Sequence, residues 1–412
     1  MDIRSPLNTT NHNSAFARQP IFDRNLNTYA YELLYRGEIM GMSNTSLHAE
    51  VGDLATNQVI NNAFMDIGIE KVVGNHLAFI NMTRSLLIKG DPLPFAHDKV
   101  VLEILEDIAA DAEVIDAVEK LVSQGYKIAL DDFIFDKSLW PLINLADIIK
   151  IDILLLSSEQ LKQHVDLLKK ENVKLLAEKV ETQQQFDQCK ALGFDYFQGF
   201  FFSKPLLIKN TPLPSSHLSI LNLIAKLQES TTEFDEIEEL ISHDVSLSYK
   251  LLKLLNSAAI SPMHKIESIK RGLVVLGFDA IKSWTMLIAL HSINPTTPEL
   301  MTFTLIRAKM CELLAGDFNS TSDTAFTIGL FSTIEAMLQH PIDELLEALP
   351  LTEAVKQALL SQQGELGEML KIVMLCERGL WDNIAPPPLS ITDFGEAYLN
   401  ATQWAIDIQK TL

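Results

Sequence analysis

Two adjacent carboxylates, Asp131 and Asp132, end the short apolar run Lys127-Ile-Ala-Leu130. Leu130 can complete a buried strand, but both acids cannot stay ionised in a core without a cation or donors to meet them. Like charges where a strand should end imply a metal site, and the chain offers further walls for it. Asn81 closes the apolar run from His76, and Glu103 sits within Val100-Val-Leu-Glu-Ile-Leu105. Lys150 and Asp152 lie two apart, hence on one strand face, in Ile148-Ile-Lys-Ile-Asp152. Glu178 and Glu181 follow the run Lys174-Leu-Leu-Ala177, and Gln198 lies within Asp195-Tyr-Phe-Gln-Gly-Phe-Phe-Phe202. Upstream, Glu32 and Arg36 are charged residues in apolar company. Several oxygen donors without His or Cys suit a hard cation, Mg2+ or Mn2+, better than zinc. Adjacent aspartates can bridge two ions, the arrangement that activates water in phosphoester hydrolysis. A lysine nearby suits a developing phosphoryl charge or orients the attacking water, and a spare carboxylate can act as general base.

Each residue alone also has a structural reading. Asp131-Asp132 could cap a following helix, and Asn81 could cap the one that begins near Thr83. Gln198-Gly199 could mark a strand bulge. The joint pattern favours the site, because independent rim charges need not recur on nearly every strand.

The elements that must position these residues follow from periodicity. Ala17 to Phe22 and Thr28 to Leu34 read as an opening hairpin across Asp23-Arg-Asn-Leu-Asn27. A helical pattern covers Leu47 to Met65. Short apolar strands then alternate with amphipathic helices over Ala109 to Gln124, Ser158 to Glu171 and on through Leu192, which marks a parallel sheet covered on its faces. Six or more such units in so short a stretch suit a closed (β/α) barrel, whose strand ends converge on one mouth. A doubly wound sheet would need a Gly-rich phosphate turn after an early strand, and the sequence has none.

Thr211-Pro-Leu-Pro-Ser-Ser216 reads as part of a linker over residues 206–216. Beyond it apolar residues recur at helical spacing. Helices are expected over Leu218 to Gln228, Phe234 to Ser242, Leu247 to Asn256, Ile266 to Leu276, Ala280 to His291, Phe303 to Ala315, Thr324 to Leu338, Glu365 to Arg378 and Thr392 to Gln409. The fold class is therefore α/β plus all-α: a (β/α) barrel over residues 15–205 behind a loose tail of 1–14, and a helical domain over 217–412.

Composition narrows the function. The chain has 412 residues with 33 Lys plus Arg against 54 Asp plus Glu, a formal charge of -21. That balance disfavours non-specific nucleic-acid binding, which rests on neutralising phosphates. A small anionic ligand stays compatible if local cations or a metal reverse the field. No apolar run reaches the roughly 18 residues needed to cross a bilayer, and the polar start lacks the apolar core of a signal peptide. Cys189, Cys311 and Cys376 lack metal or disulfide spacing, which fits a reducing cytoplasm.

The ordered motifs resemble a known family. Gln19-Pro-Ile21, Glu32-Leu-Leu-Tyr-Arg36, Phe79-Ile-Asn81, Leu102-Glu-Ile-Leu-Glu106, Leu130-Asp-Asp-Phe133, Ile149-Lys-Ile-Asp152, Ala177-Glu-Lys-Val-Glu181 and Asp195-Tyr-Phe-Gln-Gly199 are similar, in order, to the EAL domains that hydrolyse cyclic di-GMP. The resemblance implies a modified barrel with an antiparallel first strand. It implies metal ligation by Glu32, Asn81, Glu103, Asp131, Asp132 and Glu181 or Glu178. It assigns the attacking water to Lys150 and Glu178, support to Gln198, and dinucleotide binding to Gln19 and Arg36, whose guanidinium suits a phosphate oxygen. Glu106 matches the residue that anchors the loop after the aspartates. The signature Glu-Ala-Leu reads Glu-Leu-Leu, which keeps the ligand. The glycine-rich loop reads Phe133-Ile-Phe-Asp-Lys137, where bulky residues disfavour the positive φ that glycine would allow.

The helical half, through Leu247 to Asn256 and Ser268 to Gly277, resembles an HDOD domain, a relative of the HD hydrolases that lacks their full metal set. His243-Asp244 looks superficially like an HD pair, but a helix-cap role suits Asp244 better. The expectation is a cytoplasmic bacterial phosphodiesterase that linearises cyclic di-GMP with Mg2+ or Mn2+, its helical half serving as regulator or protein-binding surface. A homodimer is compatible with it. The alternative is a non-catalytic effector that binds cyclic di-GMP or a protein. A magnesium enolisation barrel ranks third, because it would not explain Gln19 and Arg36.

Overall fold

The computed structural model describes residues 14–37, 68–90, 93–133, 137–199, 215–229, 234–242, 244–257, 260, 265–292, 298–380 and 391–411. The expected helix at Leu47 to Met65 and most of the linker at 206–216 lie outside these residues.

Eight strands close a barrel in sequence order: β1 (Ser14–Asp23), β2 (Thr28–Gly37), β3 (Leu77–Met82), β4 (Val100–Ile104), β5 (Lys127–Leu130), β6 (Ile148–Asp152), β7 (Lys174–Glu178) and β8 (Tyr196–Phe197). β1 runs antiparallel to both β2 and β8, and every other pairing is parallel. The first hairpin turns where Asp23 Oδ1 accepts the backbone N–H groups of Asn25 and Asn27 at 2.8 and 2.9 Å. That side chain substitutes for backbone partners the tight turn cannot supply. Helices Ser158–Leu168 and Gln183–Leu192 each begin in a capping box, from Ser157 with Gln160 and Thr182 with Gln185.

The interior of the barrel is layered. Ile21, Ala30, Phe79, Val101, Ala129, Ile148 and Leu176 fill its lower half, with Tyr29 stacked on Tyr196 at 4.1 Å between ring centroids. Because strand side chains alternate, the next inward residue on each strand lies one layer higher. The register makes that layer polar, pairing Asn81 with Glu103 and Asp152 with Glu178. A second apolar shell, from Ile80, Leu102, Ile128, Ile149 and Leu175 outward, joins the strands to the surrounding helices.

The second half is helical throughout its described residues. It runs from Ser215–Gln228, which takes in the last two residues of the expected linker, to Ile391–Gln409. Two departures from periodicity in this half have physical causes. The helical stretch expected from Thr324 to Leu338 is two helices, Ser322–Phe331 and Ile334–Leu338. At the break Ser332 Oγ donates to the Gly329 carbonyl at 2.6 Å and accepts from Arg307, while Thr333 bonds Thr304 at 2.7 Å. Hydroxyls that take backbone or neighbour partners compete with helix continuation. Ile342–Glu347 and Glu353–Ser361 are further helices, too short to announce themselves without tertiary packing. The last expected strand, Asp195 to Phe202, pairs over Tyr196–Phe197 alone among its described residues.

Helices Pro298–Leu314 and Ser322–Phe331 approach so closely that a Cβ on Gly329 would stand 2.5 Å from Ala308 Cα. Beside them Arg307 makes a buried two-pronged pair with Glu377, at 3.0 and 2.6 Å. Gly329→Ala is therefore expected to lower stability by about 1–3 kcal/mol through overpacking. Urea unfolding measures this directly, and an unchanged midpoint would show that the helices can separate at no cost.

Candidate functional site

The mouth of the barrel is organised by one lysine. Lys150 projects inward from β6, only 1% exposed, and its Nζ lies 2.7 Å from Asp131 Oδ1, 2.8 Å from Glu103 Oε1, 2.9 Å from Glu178 Oε1 and 3.2 Å from Glu32 Oε2. An ammonium has three protons, so four carboxylates cannot all be satisfied by it. Glu103, wholly buried, is the one left short: neither of its oxygens has an aligned donor, despite its closeness to Nζ. Glu32 is the best served, because Gln198 Nε2 also donates to its Oε2 at 2.7 Å.

Burial and mutual repulsion shift these groups. Burial, reinforced by Glu32 and Asp131, pushes the Glu103 carboxyl well above its ordinary range despite Lys150. Burial likewise carries Glu178 up to about 8, with Lys150 opposing and Asp131 and Glu32 adding to the rise. For Lys150 burial favours the neutral amine, but Glu103, Glu32, Glu178 and Asp131 together outweigh it and hold the ammonium charged.

Buried acceptors without a hydrogen-bond donor cluster here. They are Asn81 Oδ1, both Glu103 oxygens, Asp132 Oδ1, Glu178 Oε2 and Gln198 Oε1. Such orphaned atoms are rare in folded proteins and call for a partner. An all-oxygen set of this kind fits a hard divalent cation, and Asn81, Glu103, Asp131, Asp132, Glu178 and Glu32 are the residues that could hold one. Among the described residues no three acidic, imidazole or thiolate groups already stand in a metal-ligating array; four of the acids lie around Lys150.

A second network flanks the first. Asp152, buried two residues beyond Lys150, accepts the Leu154 N–H at 2.8 Å and pairs with Lys179, whose Nζ also stands 3.8 Å from Asp132. Asp132 and Lys179 both adopt left-handed backbone, with φ of 40° and 56°. For non-glycine residues that conformation is strained, and such strain concentrates at functional sites. Phe133 N–H is tied to the Lys150 carbonyl at 2.9 Å directly after the turn. Lys179 was not foreseen; its signal is its place between Glu178 and Glu181 in the motif.

The remaining candidates divide. Gln19 is half-buried and pairs with Glu32 across the hairpin, so both share the inner face. Arg36 lies in β2, with its side chain outside the described residues. Glu181 is exposed on the rim, where its N–H donates to Gln185 Oε1 at 2.8 Å, and it does not join the cluster around Lys150. Glu106 is exposed, and residues 134–136 of the loop it would anchor lie outside the description. Thr83, not Asn81, caps helix Arg84–Lys89. Gly199 has a φ of 150°, and a Cβ there would meet the Val180 carbonyl oxygen at 2.3 Å, so the chain beside Gln198 requires glycine. In the helical half Asp244 accepts the Leu247 N–H at 2.9 Å and is a helix cap; His243 lies outside the described residues.

A closed barrel with one antiparallel strand and an acid-and-lysine mouth, followed by a helical domain, defines a two-part class. Residues 44–205 match the EAL domain family and residues 213–370 the HDOD domain family. The chain belongs to the proteins that join an EAL domain to an HDOD domain. The Bacillus subtilis protein YuxH is 36% identical over 400 residues, spanning 94% of this chain and 97% of its own. The Vibrio cholerae cyclic di-GMP phosphodiesterase CdgJ is 31% identical over 418 residues, spanning 99% and 96%. A solved structure, the PaMucR phosphodiesterase in complex with c-di-GMP, is 23% identical, covers 50% of this chain and 99% of that one, and has a TM-score of 0.39. Among the described residues no helix is long and apolar enough to cross a membrane.

The raised Glu178 carboxyl makes stability depend on pH. A carboxyl whose folded value exceeds its unfolded one binds more protons when folded, so its contribution favours the fold at low pH and is lost as pH rises. The chelator-treated protein is expected to lose thermal stability steadily from the ordinary glutamate range up to about 8. Because Glu103 is raised in the same direction, Glu178→Gln should reduce that slope and not abolish it in a series of melting curves. An equal slope in the variant would place the titrating group elsewhere.

Proposed function

We propose that the barrel hydrolyses cyclic di-GMP to the linear dinucleotide with the help of Mg2+ or Mn2+. One observation carries the reading: four carboxylates converge on one buried ammonium and leave buried oxygen acceptors without donors. The likeness over its whole length to a relative named as a cyclic di-GMP phosphodiesterase supports the substrate. In this reading Glu32, Asn81, Glu103, Asp131 and Asp132 hold the metal, with Glu178 or the exposed Glu181 completing the set.

A bound divalent cation would lower the pKa of a water and of the acids beside it, and would neutralise the scissile phosphate. The chain's own residues do the positioning. Lys150, fixed from four sides, sets the place of the attacking water and meets negative charge as it develops on the phosphate. Where Glu181 completes the metal set, Glu178, 2.9 Å from Lys150 Nζ, is free to act as the general base toward that water. Gln198 locks the Glu32 carboxylate by donating to Oε2, which keeps the other oxygen available. Gln19 and Arg36 would hold the dinucleotide. The helical half is the regulatory or partner-binding part.

A second reading is favoured by the chain after the aspartates. Ile134 and Phe135 stand where glycine freedom is expected, so the barrel could bind cyclic di-GMP as an effector without turning it over.

Purified full-length protein with Mn2+ and cyclic di-GMP is expected to release the linear dinucleotide. Glu32→Ala and Glu178→Gln should each lower kcat by about 10²–10⁴. Tight binding without turnover, indifferent to Glu178→Gln, would establish the effector instead. In a separate Mn2+ titration Asp132→Asn is expected to weaken binding, and unchanged affinity would remove Asp132 from the ligand set.

A further inference from the structure

The hairpin that carries Glu32 and Gln19 has a second face, and the helical half is seated on it. Tyr31 precedes Glu32 on β2 and so points outward, 4% exposed. Its hydroxyl donates to Glu299 Oε2 at 2.7 Å, and the Thr28 hydroxyl donates to the same oxygen at 3.1 Å. Glu299 belongs to the first turn of helix Pro298–Leu314 and is itself only 4% exposed. Its remaining side-chain donor is Thr302 on its own helix. A carboxylate buried between two domains, met by the charge of Arg18 and by the Tyr31 and Thr28 hydroxyls of the barrel, is costly to leave unpaired and so resists displacement of either partner.

The neighbouring strand is held in the same way. Arg18 lies with its guanidinium carbon 4.2 Å from the Tyr31 ring centroid and donates to the Val72 carbonyl at 2.6 Å. Its backbone N–H reaches the Tyr398 hydroxyl of helix Ile391–Gln409 at 3.4 Å. Ala17, one residue earlier, packs in the hydrophobic core of the helical half. Gln19, one residue later, stands opposite Glu32 in register. Outer and inner side chains alternate on one backbone, so any shift of the strand itself at its outer contacts also moves Gln19 and Glu32.

We propose that Glu299 is a positioning residue for the barrel site: through Tyr31 and Thr28 it fixes the strand that presents Glu32, so the seating of the helical half sets the site. The proposal rests on Glu32 holding metal as read above. It makes the interface a route by which anything that reseats the helical half alters metal affinity. Partners one layer outside the ligands commonly have this leverage.

The test uses full-length Glu299→Ala, Glu299→Gln and Tyr31→Phe beside the wild type, each confirmed as folded by circular dichroism. Mn2+ affinity is measured by calorimetry, and kcat and KM with cyclic di-GMP. Glu299→Ala and Tyr31→Phe are expected to weaken Mn2+ binding on the order of tenfold and to lower kcat more than they change KM. Glu299→Gln still accepts from Tyr31 and should recover most of both. A merely structural contact would change the melting temperature and leave the Mn2+ affinity of the folded protein alone. Folded Ala and Phe variants with wild-type affinity and kcat would overturn the proposal. If Glu299→Ala does not fold, Tyr31→Phe, which removes one oxygen, decides the matter. Wild-type protein that binds Mn2+ without turnover leaves the affinity arm decisive. Wild-type protein that does not bind Mn2+ overturns the reading of Glu32 and this inference with it.

Discussion

The arrangement of the barrel depends on the imbalance around Lys150. A buried ammonium with three protons faces Glu32, Glu103, Asp131 and Glu178, and the core below it is apolar. Without the lysine these buried acids would have to take up protons or remain as unpaired like charges, each costly in a core. With it the layer folds but stays electrostatically short of cations; burial first, and the neighbouring acids after it, keep the Glu103 and Glu178 carboxyls raised against Lys150. A layer that is stable yet short of positive charge has room for a divalent cation, the group on which the proposed function rests. The shared layer also makes the strands interdependent, since Lys150 reaches acids from four other strands or their ends.

The barrel's first hairpin joins this layer to the rest of the molecule. Of its inward residues Glu32 reaches Lys150 and Gln19 stands opposite it in register, while its outward residues, Arg18 and Tyr31, are buried against the helical half. Two domains that meet on a strand of the active layer share more than a linker. Helix Ile391–Gln409, the last in the chain, returns to β1, the first strand, so both ends of the described chain meet at this interface.

Much of the architecture was legible from periodicity. The strands ending at Met82, Leu130, Asp152 and Glu178 lie where apolar runs meet polar residues, because a barrel strand buried on both faces can turn polar only at its mouth. Phe234–Ser242 lies between the residues its pattern implied. Periodicity failed where hydroxyl side chains cut a helix, at Ser332 and Thr333, and where Ile342–Glu347 and Glu353–Ser361 are too short to carry a pattern.

The sequence by itself determined which chemistry was available: acids, one lysine and amides at the ends of successive apolar runs, with no His or Cys among them. Alternation along each strand decided that these side chains face inward. Tertiary structure alone decided which of them meet. Glu178 enters the cluster and Glu181, three residues on, stays on the rim, because β7 ends at Glu178 and the chain turns outward through left-handed Lys179. It alone brought Lys179 to Asp132 and Asp152, and Glu299 to Tyr31 across 268 residues of chain. Spacing encodes the face of an element, but contacts between distant elements depend on strand register and domain packing, which no local pattern records.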